Sequence, residues 1–314
     1  MITKADMLLT GTPYTTLFYM LLNPDWARAV FVFDKNFPRK IIDRLLERNV
    51  DCRFLSDGMS ETEYLEEIKR LGAYVRQNNV PIMGHDFLSI SKYFVNPNFT
   101  VLEDGLANYC DYDYVTKQKK AQYFIDDGHE YVPFGYDKMI SKIYLTGKMA
   151  IPHELQPKVE LVNLKSLWLE QSDERRRELL NIFSFPMEQF QSAAFSKRDQ
   201  LLLTQNFHDL GFLSLDEQID IYKSILLNYD RERIIIKPHP LDTIEYDKYF
   251  PEYMILARHF PIEMFELLGI TIERTISINS SAQYGVFADS KSDHFYDIFE
   301  QHIEPKFGRG DADG

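Results

Sequence analysis

Apolar runs alternate with amphipathic stretches along this chain, and the alternation occurs in two blocks. In the first block, the apolar run at 7–10 is closed by Gly11-Thr12-Pro13, and residues 14–22 follow with helical character. Strand, tight turn and helix is the opening of a βαβ unit. The same reading predicts strands at 29–33, 51–55, 81–86 and 99–102, with amphipathic helices at 41–48 and 61–78. Residues 121–155 carry Gly128, Pro133, Gly135, Gly147 and Pro152, which predict short elements broken by turns. Residues 161–190 predict a helix, with Asp173 to Glu178 forming a solvated face of i,i+4 ion pairs.

The second block begins at a buried strand, 200–205, after a connection at 185–199. Ser214-Leu215-Asp216-Glu217 is a capping box that opens a helix to about 227. Ile234-Ile235-Ile236 reads as a buried strand, and 274–278 as another. The aromatic run 295–303 predicts a segment crossing back toward the first block, and 308–314 a disordered end. The domains expected are therefore 1–190, 191–290 and a returning C-terminal piece, 291–314. Two strand–helix halves predict an α/β protein of two Rossmann-like domains facing a central cleft.

The candidate chemistry lies at strand ends. The 234–236 strand runs into Lys237-Pro238-His239-Pro240, and neither proline can donate to a sheet ladder. His239 is thereby held just past a strand end, where ligands of parallel sheets bind. Phe260-Pro261-Ile262-Glu263 suits a helix start. The 274–278 strand ends in Asn279-Ser280-Ser281, offering hydroxyls and the amides of a following helix to an anion. In the first block, the 99–102 strand ends in Glu103-Asp104-Gly105. Side chains alternate along a strand, so at most one of those carboxylates points into a site, and Gly105 permits a sharp turn. Asp209 lies in the loop after 200–205 and is a further candidate carboxylate, with Asp216 a weaker one. His85 and Asp86 end the 81–86 strand and are candidates for an acceptor site, while His208 reads as an ordinary loop histidine.

Composition narrows the function. The net charge of −13 argues against nucleic-acid binding and against a polybasic grip on an anionic membrane. The short basic stretch 117–120 reads as solvated surface. Two cysteines, Cys52 and Cys110, imply no disulfide framework and a reducing compartment. No run is long enough to span a membrane, and residues 1–6 do not read as a signal peptide, so a cytoplasmic protein is expected. Loose attachment to the inner face of the membrane and a homodimer stay open. An aromatic content of 14% suits a carbohydrate-facing surface, although such residues also fill cores. Asp111-Tyr112-Asp113 and the tail pair Asp311 and Asp313 imitate a metal motif but lack supporting ligands, so no metal is expected. Neither half carries the glycine fingerprint of a dinucleotide oxidoreductase.

Taken in order, Lys237-Pro238-His239-Pro240, then Phe260-Pro261-Ile262-Glu263, then the strand ending in Ser280-Ser281 resembles bacterial sialyltransferases, most closely glycosyltransferase family 52. The resemblance is strongest over 200–290, and Glu103-Asp104-Gly105 is similar to an acidic motif of the same enzymes. It implies a GT-B fold and a metal-independent, inverting transfer of sialic acid from CMP-sialic acid to a galactose-type hydroxyl of lipooligosaccharide or capsule. His239 would donate to the leaving phosphate, Ser280 and Ser281 would hold it, and Glu263 would bind ribose or cytosine. Asp104, or else Asp209, would be the base. Lys237, Pro240 and Gly105 complete the donor-binding candidates. Open alternatives are a hexosyltransferase using a nucleotide-diphosphate sugar, a CDP-glycerol-type phosphotransferase, and a nucleotide-sugar-binding protein without turnover.

Overall fold

The computed structural model describes residues 7–117, 123–124, 128–283, 286–287 and 289–304. The N-terminal residues 1–6, most of the basic stretch 117–120 and the tail 308–314 lie outside the described residues. The chain divides into two compact units, Met1–Ile182 and Phe183–Gly314.

Unit 1 contains the strands β1 (Met7–Thr10), β2 (Val30–Phe33), β3 (Asp51–Arg53), β4 (Ile82–Gly84) and β5 (Phe99–Leu102). A small antiparallel ribbon follows, β6 (Tyr123–Phe124) with β7 (Glu130–Tyr131), and then β8 (Lys142–Leu145) and β9 (Val159–Leu161). All but the ribbon form one sheet in the order β3-β2-β1-β4-β5-β8-β9, and every pairing in it is parallel. The helices are α1 (Pro13–Leu22), α2 (Arg39–Leu46), α3 (Glu61–Gln77), α4 (Tyr112–Lys117), α5 (Leu164–Glu170) and α6 (Asp173–Ile182). Every residue of α1 is buried, as an all-round apolar helix requires. Its first turn is set by Pro13 and by the Thr12 hydroxyl, which accepts from the Thr15 N–H.

The chain lays down β1, builds outward through β2 and β3, and then returns to the other side of β1 with β4. The sheet therefore reverses its strand order between β1 and β4, and ligands of such sheets bind at that reversal, beyond the carboxyl ends of the strands. The two strands approach closely there. Gly84 has φ +141°, and a Cβ on it would lie 1.8 Å from the Leu9 carbonyl oxygen. With no side chain in the way, the His85 N–H donates to that oxygen at 2.9 Å.

Unit 2 repeats the plan with fewer strands. It contains α7 (Met187–Phe190), β10 (Gln200–Leu203), α8 (Leu215–Leu226), β11 (Ile234–Lys237), β12 (Met254–Ile255), α9 (Met264–Leu268), β13 (Arg274–Ser277), β14 (Lys291–His294) and α10 (Tyr296–Ile298). The sheet order is β12-β11-β10-β13-β14, all parallel, with its reversal between β10 and β13. Ile234, Ile235 and Ile236 are fully buried, and each such side chain contributes roughly 1.5–3 kcal/mol of transfer free energy. Among the described residues no helix is long and apolar enough to cross a membrane.

The structure departs from the sequence reading in four places. The division falls after Ile182 rather than at 190. The expected connection is part of unit 2, because Phe185 and Phe190 stack on each other at 4.7 Å and meet Phe260 and Phe265. The expected helix at 161–190 is broken into α5 and α6, and its ion pairs are i,i+3, Arg176–Asp173 and Arg175–Glu178. The piece expected from 291 opens with β14, which completes the sheet, and Phe295, Ile298, Phe299 and Ile303 pack on the core of unit 2. A run with so much apolar surface is covered by the nearest core it can reach.

The close strand approach gives a test. Gly84→Ala is expected to lower stability by roughly 3 kcal/mol or more in urea unfolding, since it combines a backbone clash with strain. Gly58 has φ +82° and nothing within 4 Å of its Cβ position, so Gly58→Ala is expected to lose only about 1–2 kcal/mol. Equal losses would contradict the role given to the β1–β4 contact.

Candidate active site

At the reversal of unit 1, three strand ends converge on one imidazole. The Gly11 N–H, just past β1, donates to Nδ1 of His85 at 3.1 Å. An N–H can only donate, so Nδ1 carries no proton and Nε2 holds it in the neutral ring. That Nε2 lies 2.6 Å from the Thr15 hydroxyl and 3.2 Å from Oδ1 of Asp104, just past β5. The Thr15 hydroxyl donates onward to the Glu103 carbonyl at 2.9 Å, which leaves it an acceptor toward His85. The Thr12 hydroxyl donates to the same Oδ1 at 2.8 Å. Among the described residues, Oδ2 of Asp104 accepts no hydrogen bond, and the side chain is 21% exposed. Burial raises the pKa of this carboxyl. The polar His85 ring beside it and the hydrogen bonds from His85 and Thr12 outweigh that effect, so it stays below the ordinary carboxylate range and is ionised at neutral pH.

The neighbouring carboxylates do other work. Glu103 is fully buried and accepts from Tyr14 OH (2.8 Å), Tyr109 OH (2.6 Å) and the Thr146 N–H (2.6 Å) and hydroxyl. It ties the end of β5 to the loop after β8. The two adjacent carboxylates therefore diverge, as strand alternation requires. Gly105 turns the chain at φ +150°, and the Asp104 N–H is held by Oδ1 of Asn108 at 2.8 Å. Of the two acceptor-site candidates just past β4, the structure joins His85 to Asp104 and withdraws Asp86. Asp86 is fully buried on Tyr131 OH and the N–H groups of Phe134 and Gly135, and burial raises its pKa more than these bonds lower it.

Unit 2 presents a second histidine at its own strand ends. The Leu241 N–H donates to Nδ1 of His239 at 3.2 Å, so here too the neutral ring carries its proton on Nε2. Burial, then the charge of Lys237, push the His239 pKa down to about 4 against a weaker pull from Asp209. At neutral pH it is an imidazole that donates a hydrogen bond, not a cation. Its backbone N–H is held by the Thr204 hydroxyl at 3.1 Å, and that hydroxyl donates to the buried Asp242 at 3.2 Å. Asp242 also accepts from Tyr246 OH (2.7 Å) and the Ile244 N–H (2.9 Å), with burial raising its pKa. Pro240 follows in the same turn, which the Asp242 N–H closes on the His239 carbonyl at 3.0 Å.

The remaining candidates separate. Lys237 turns away from solvent: its ammonium donates to the carbonyls of Pro238 (3.0 Å) and Arg258 (2.9 Å) and lies 4.6 Å over the Phe260 ring. Burial brings its pKa down to about 7, with Glu263 opposing and Arg258 assisting. Lys237 thus joins the His239 turn to the segment leading to Glu263, rather than presenting a charge to a ligand. Asp209 is exposed and clamps the Thr243 N–H (2.9 Å) and hydroxyl. Asp216 stands in the first turn of α8, and His208 is held through its N–H on Gln218. Ser280 is buried just past β13, and the side chain of Ser281 lies outside the described residues. The helix expected after the serines is a single 3₁₀ turn, Ser281–Gln283. Gln283 folds back onto Ser277 (2.6 Å) and Thr275 (3.2 Å) inside the sheet, which anchors that turn. Asp111 caps α4 through the Tyr114 N–H at 2.7 Å, and no cluster of three or more His, Cys, Asp or Glu among the described residues is placed to hold a metal ion.

Sequence reasoning missed Thr12, Thr15 and Asn108 around Asp104, and Asp242 beneath His239. The signal available for each was a small polar residue within a few positions of an apolar strand end.

Comparison with known proteins identifies the family and the fold. The model of glycosyltransferase family 52 matches residues 42–296. The chain is 29% identical over 228 residues to an uncharacterized protein of Haemophilus influenzae, 72% of each chain being covered. The fold is similar to that of the α/β-galactoside α-2,3-sialyltransferase of Photobacterium phosphoreum, with a TM-score of 0.54 at 10% identity over 92% of this chain and 90% of that one. A 2,6-sialyltransferase of Photobacterium sp. JT-ISH-224, solved with CMP and lactose, gives 0.56 at 12% identity over 92% of this chain and 71% of that one. A UDP-GlcNAc 2-epimerase of Neisseria meningitidis, bound to UDP-GlcNAc, gives 0.50 at 11% identity over 88% and 78%. At such identities the likeness is one of fold: two Rossmann-like domains of GT-B type.

The His239 environment can be measured directly. Its imidazole resonance is expected to titrate by NMR with a midpoint near 4, below the ordinary 6.5. The depressed folded pKa means that the folded state resists the proton. Its stabilising effect is complete above 6.5 and is lost as pH falls toward 4, a slope that His239→Gln removes. A midpoint at or above 6.5 would contradict the buried, neutral assignment.

Proposed function

The chain belongs to glycosyltransferase family 52, and on that premise we propose that it transfers sialic acid, with inversion, from CMP-sialic acid to a galactose-type hydroxyl of a lipooligosaccharide or capsule glycan. The observation that carries this reading is the Asp104 carboxylate. It is ionised, partly exposed, held through one oxygen by His85 and Thr12, and among the described residues its other oxygen is uncommitted. That is the arrangement a general base needs before its substrate arrives.

In this reading unit 1 serves the acceptor and unit 2 the donor. The acceptor oxygen attacks the anomeric carbon of the sialyl group while Oδ2 of Asp104 takes its proton. The bond from that carbon to the phosphate oxygen breaks, and the electron pair leaves with CMP. The Nε2–H of His239 donates to the phosphate as its charge grows, and the hydroxyls of Ser280 and Ser281 hold it. Glu263 accepts from ribose or cytosine. His85 positions Asp104 and helps keep it ionised. Asp209, with its carboxylate on Thr243, is a clamp for the turn beyond His239 and the weaker candidate for the base. The departing group is a monophosphate and the sialyl donor carries its own carboxylate, so the reaction needs no divalent ion. A chain working on such a donor is expected on the cytoplasmic side, with attachment to the inner face of the membrane left open.

A second reading, transfer from a nucleotide-diphosphate sugar, is favoured by the fold likeness to a UDP-GlcNAc epimerase. Thermal unfolding with each nucleotide separates the two. CMP at a hundredfold its Kd is expected to add about 2.7 kcal/mol, a rise of several degrees, and UDP at the same concentration much less. CMP release from CMP-sialic acid is expected to accelerate with a lactoside and to persist in EDTA. Equal or stronger stabilisation by UDP overturns the donor assignment, and activity lost to EDTA and restored by Mg²⁺ overturns metal independence.

A further inference from the structure

Beside the candidate base, the His85 ring continues into two aromatic rings, Phe87 and Phe134, that the chemistry above does not use. His85 stacks on Phe87 with centroids 4.9 Å apart and planes 26° from parallel. Phe87 stacks on Phe134 at 4.8 Å and 23°. These spacings put the Phe134 ring at most 9.7 Å from the imidazole that contacts Asp104.

Three observations separate these two rings from ordinary core packing. Phe87 and Phe134 are each only partly buried, and neither forms or packs against the core cluster around Leu9, Val101 and Ile143, although Leu88 and Tyr136 beside them pack against it. Phe134 holds a left-handed backbone, φ +59°, which a bulky residue rarely adopts. That conformation is held by the buried Asp86, which accepts from the Phe134 N–H at 3.0 Å and the Gly135 N–H at 2.8 Å. A buried carboxylate, a strained backbone and a second aromatic all serve to fix one half-exposed ring. Strain of this kind persists where the surroundings over-determine it, and it clusters at ligand sites.

We infer that Phe134, backed by Phe87, is a stacking platform for the acceptor glycan, under the pyranose next to the sugar whose hydroxyl reaches Asp104. The C–H face of a pyranose carries small positive partial charges, and the face of an aromatic ring is negative. The pairing needs no ionic group, so it suits a neutral glycan on a chain of net charge −13. The sugar at the base is then bound by polar groups and the next one by an apolar face. This inference rests on the glycosyl-transfer reading, which supplies the acceptor.

The test compares Phe134→Tyr, Phe134→Leu and Phe134→Asn, the last because asparagine tolerates the left-handed backbone. Phe134→Leu and Phe134→Asn are expected to raise the acceptor KM for a lactoside roughly tenfold or more, with donor KM held and Phe134→Tyr within about threefold of the parent. An acceptor KM unmoved by loss of the ring overturns the platform, as does a donor KM that rises in parallel. Saturation-transfer NMR of lactose without donor keeps the inference separate from the sialyl reading. Transfer to the glycan, lost in Phe134→Asn, supports the platform even if CMP-sialic acid proves not to be the donor. No transfer with the parent protein overturns it.

Discussion

The hydrogen bond from the Gly11 N–H to Nδ1 of His85, 3.1 Å long, is the contact on which the unit 1 site depends. It fixes the neutral tautomer and so turns an Nε2–H toward Thr15 and Asp104. It exists because β1 and β4 approach closely enough for Gly84 to be the one tolerable residue at that point. Packing of two apolar strands thereby sets the protonation pattern of a polar site. Asp104 gains an ionised state and a fixed direction from the same contacts, and Glu103 next to it is consumed in bracing the sheet.

Unit 2 uses the same device on a different histidine. A backbone N–H, that of Leu241, occupies Nδ1 of His239 and leaves Nε2 to donate. The turn carrying it is fixed from below by Thr204 and Asp242 and from the side by Lys237, whose ammonium links two carbonyls. Both histidines follow parallel strands next to the place where the strand order reverses, where parallel sheets leave room for ligands. Neither depends on a charged partner for its tautomer.

The strands were legible because burial in a parallel sheet forces continuous apolar runs such as Ile234 to Ile236, and prolines and glycines marked their ends. Candidates at those ends were legible for the same reason. Their partners were not. Thr12 reaches Asp104 across 92 positions, Thr15 reaches His85 across 70, and His239 reaches Thr204 across 35. A lone threonine carries no mark of such a contact until strand order brings it there. Lys237 shows the same limit: a lysine at a strand end reads as a charge for a ligand, and nothing local marks that this one is 3% exposed and bonded to backbone carbonyls. The helix expected after the serines failed because Gln283 folds back into the sheet, an interaction local propensity does not contain.

The central claim is that proton acceptance belongs to Asp104 in unit 1 and not to an acid of unit 2. Asp104→Asn and Asp209→Asn test it most directly, since each keeps its size but cannot take a proton at neutral pH. Steady-state kcat for lactoside sialylation and the Kd for CMP are to be measured for both. The expected result is a kcat loss of ~10²-fold or more for Asp104→Asn, a small loss for Asp209→Asn, and near-normal CMP binding in both. An Asp104→Asn enzyme that keeps most of its kcat, while Asp209→Asn loses about a hundredfold, would contradict the assignment and move the base to unit 2.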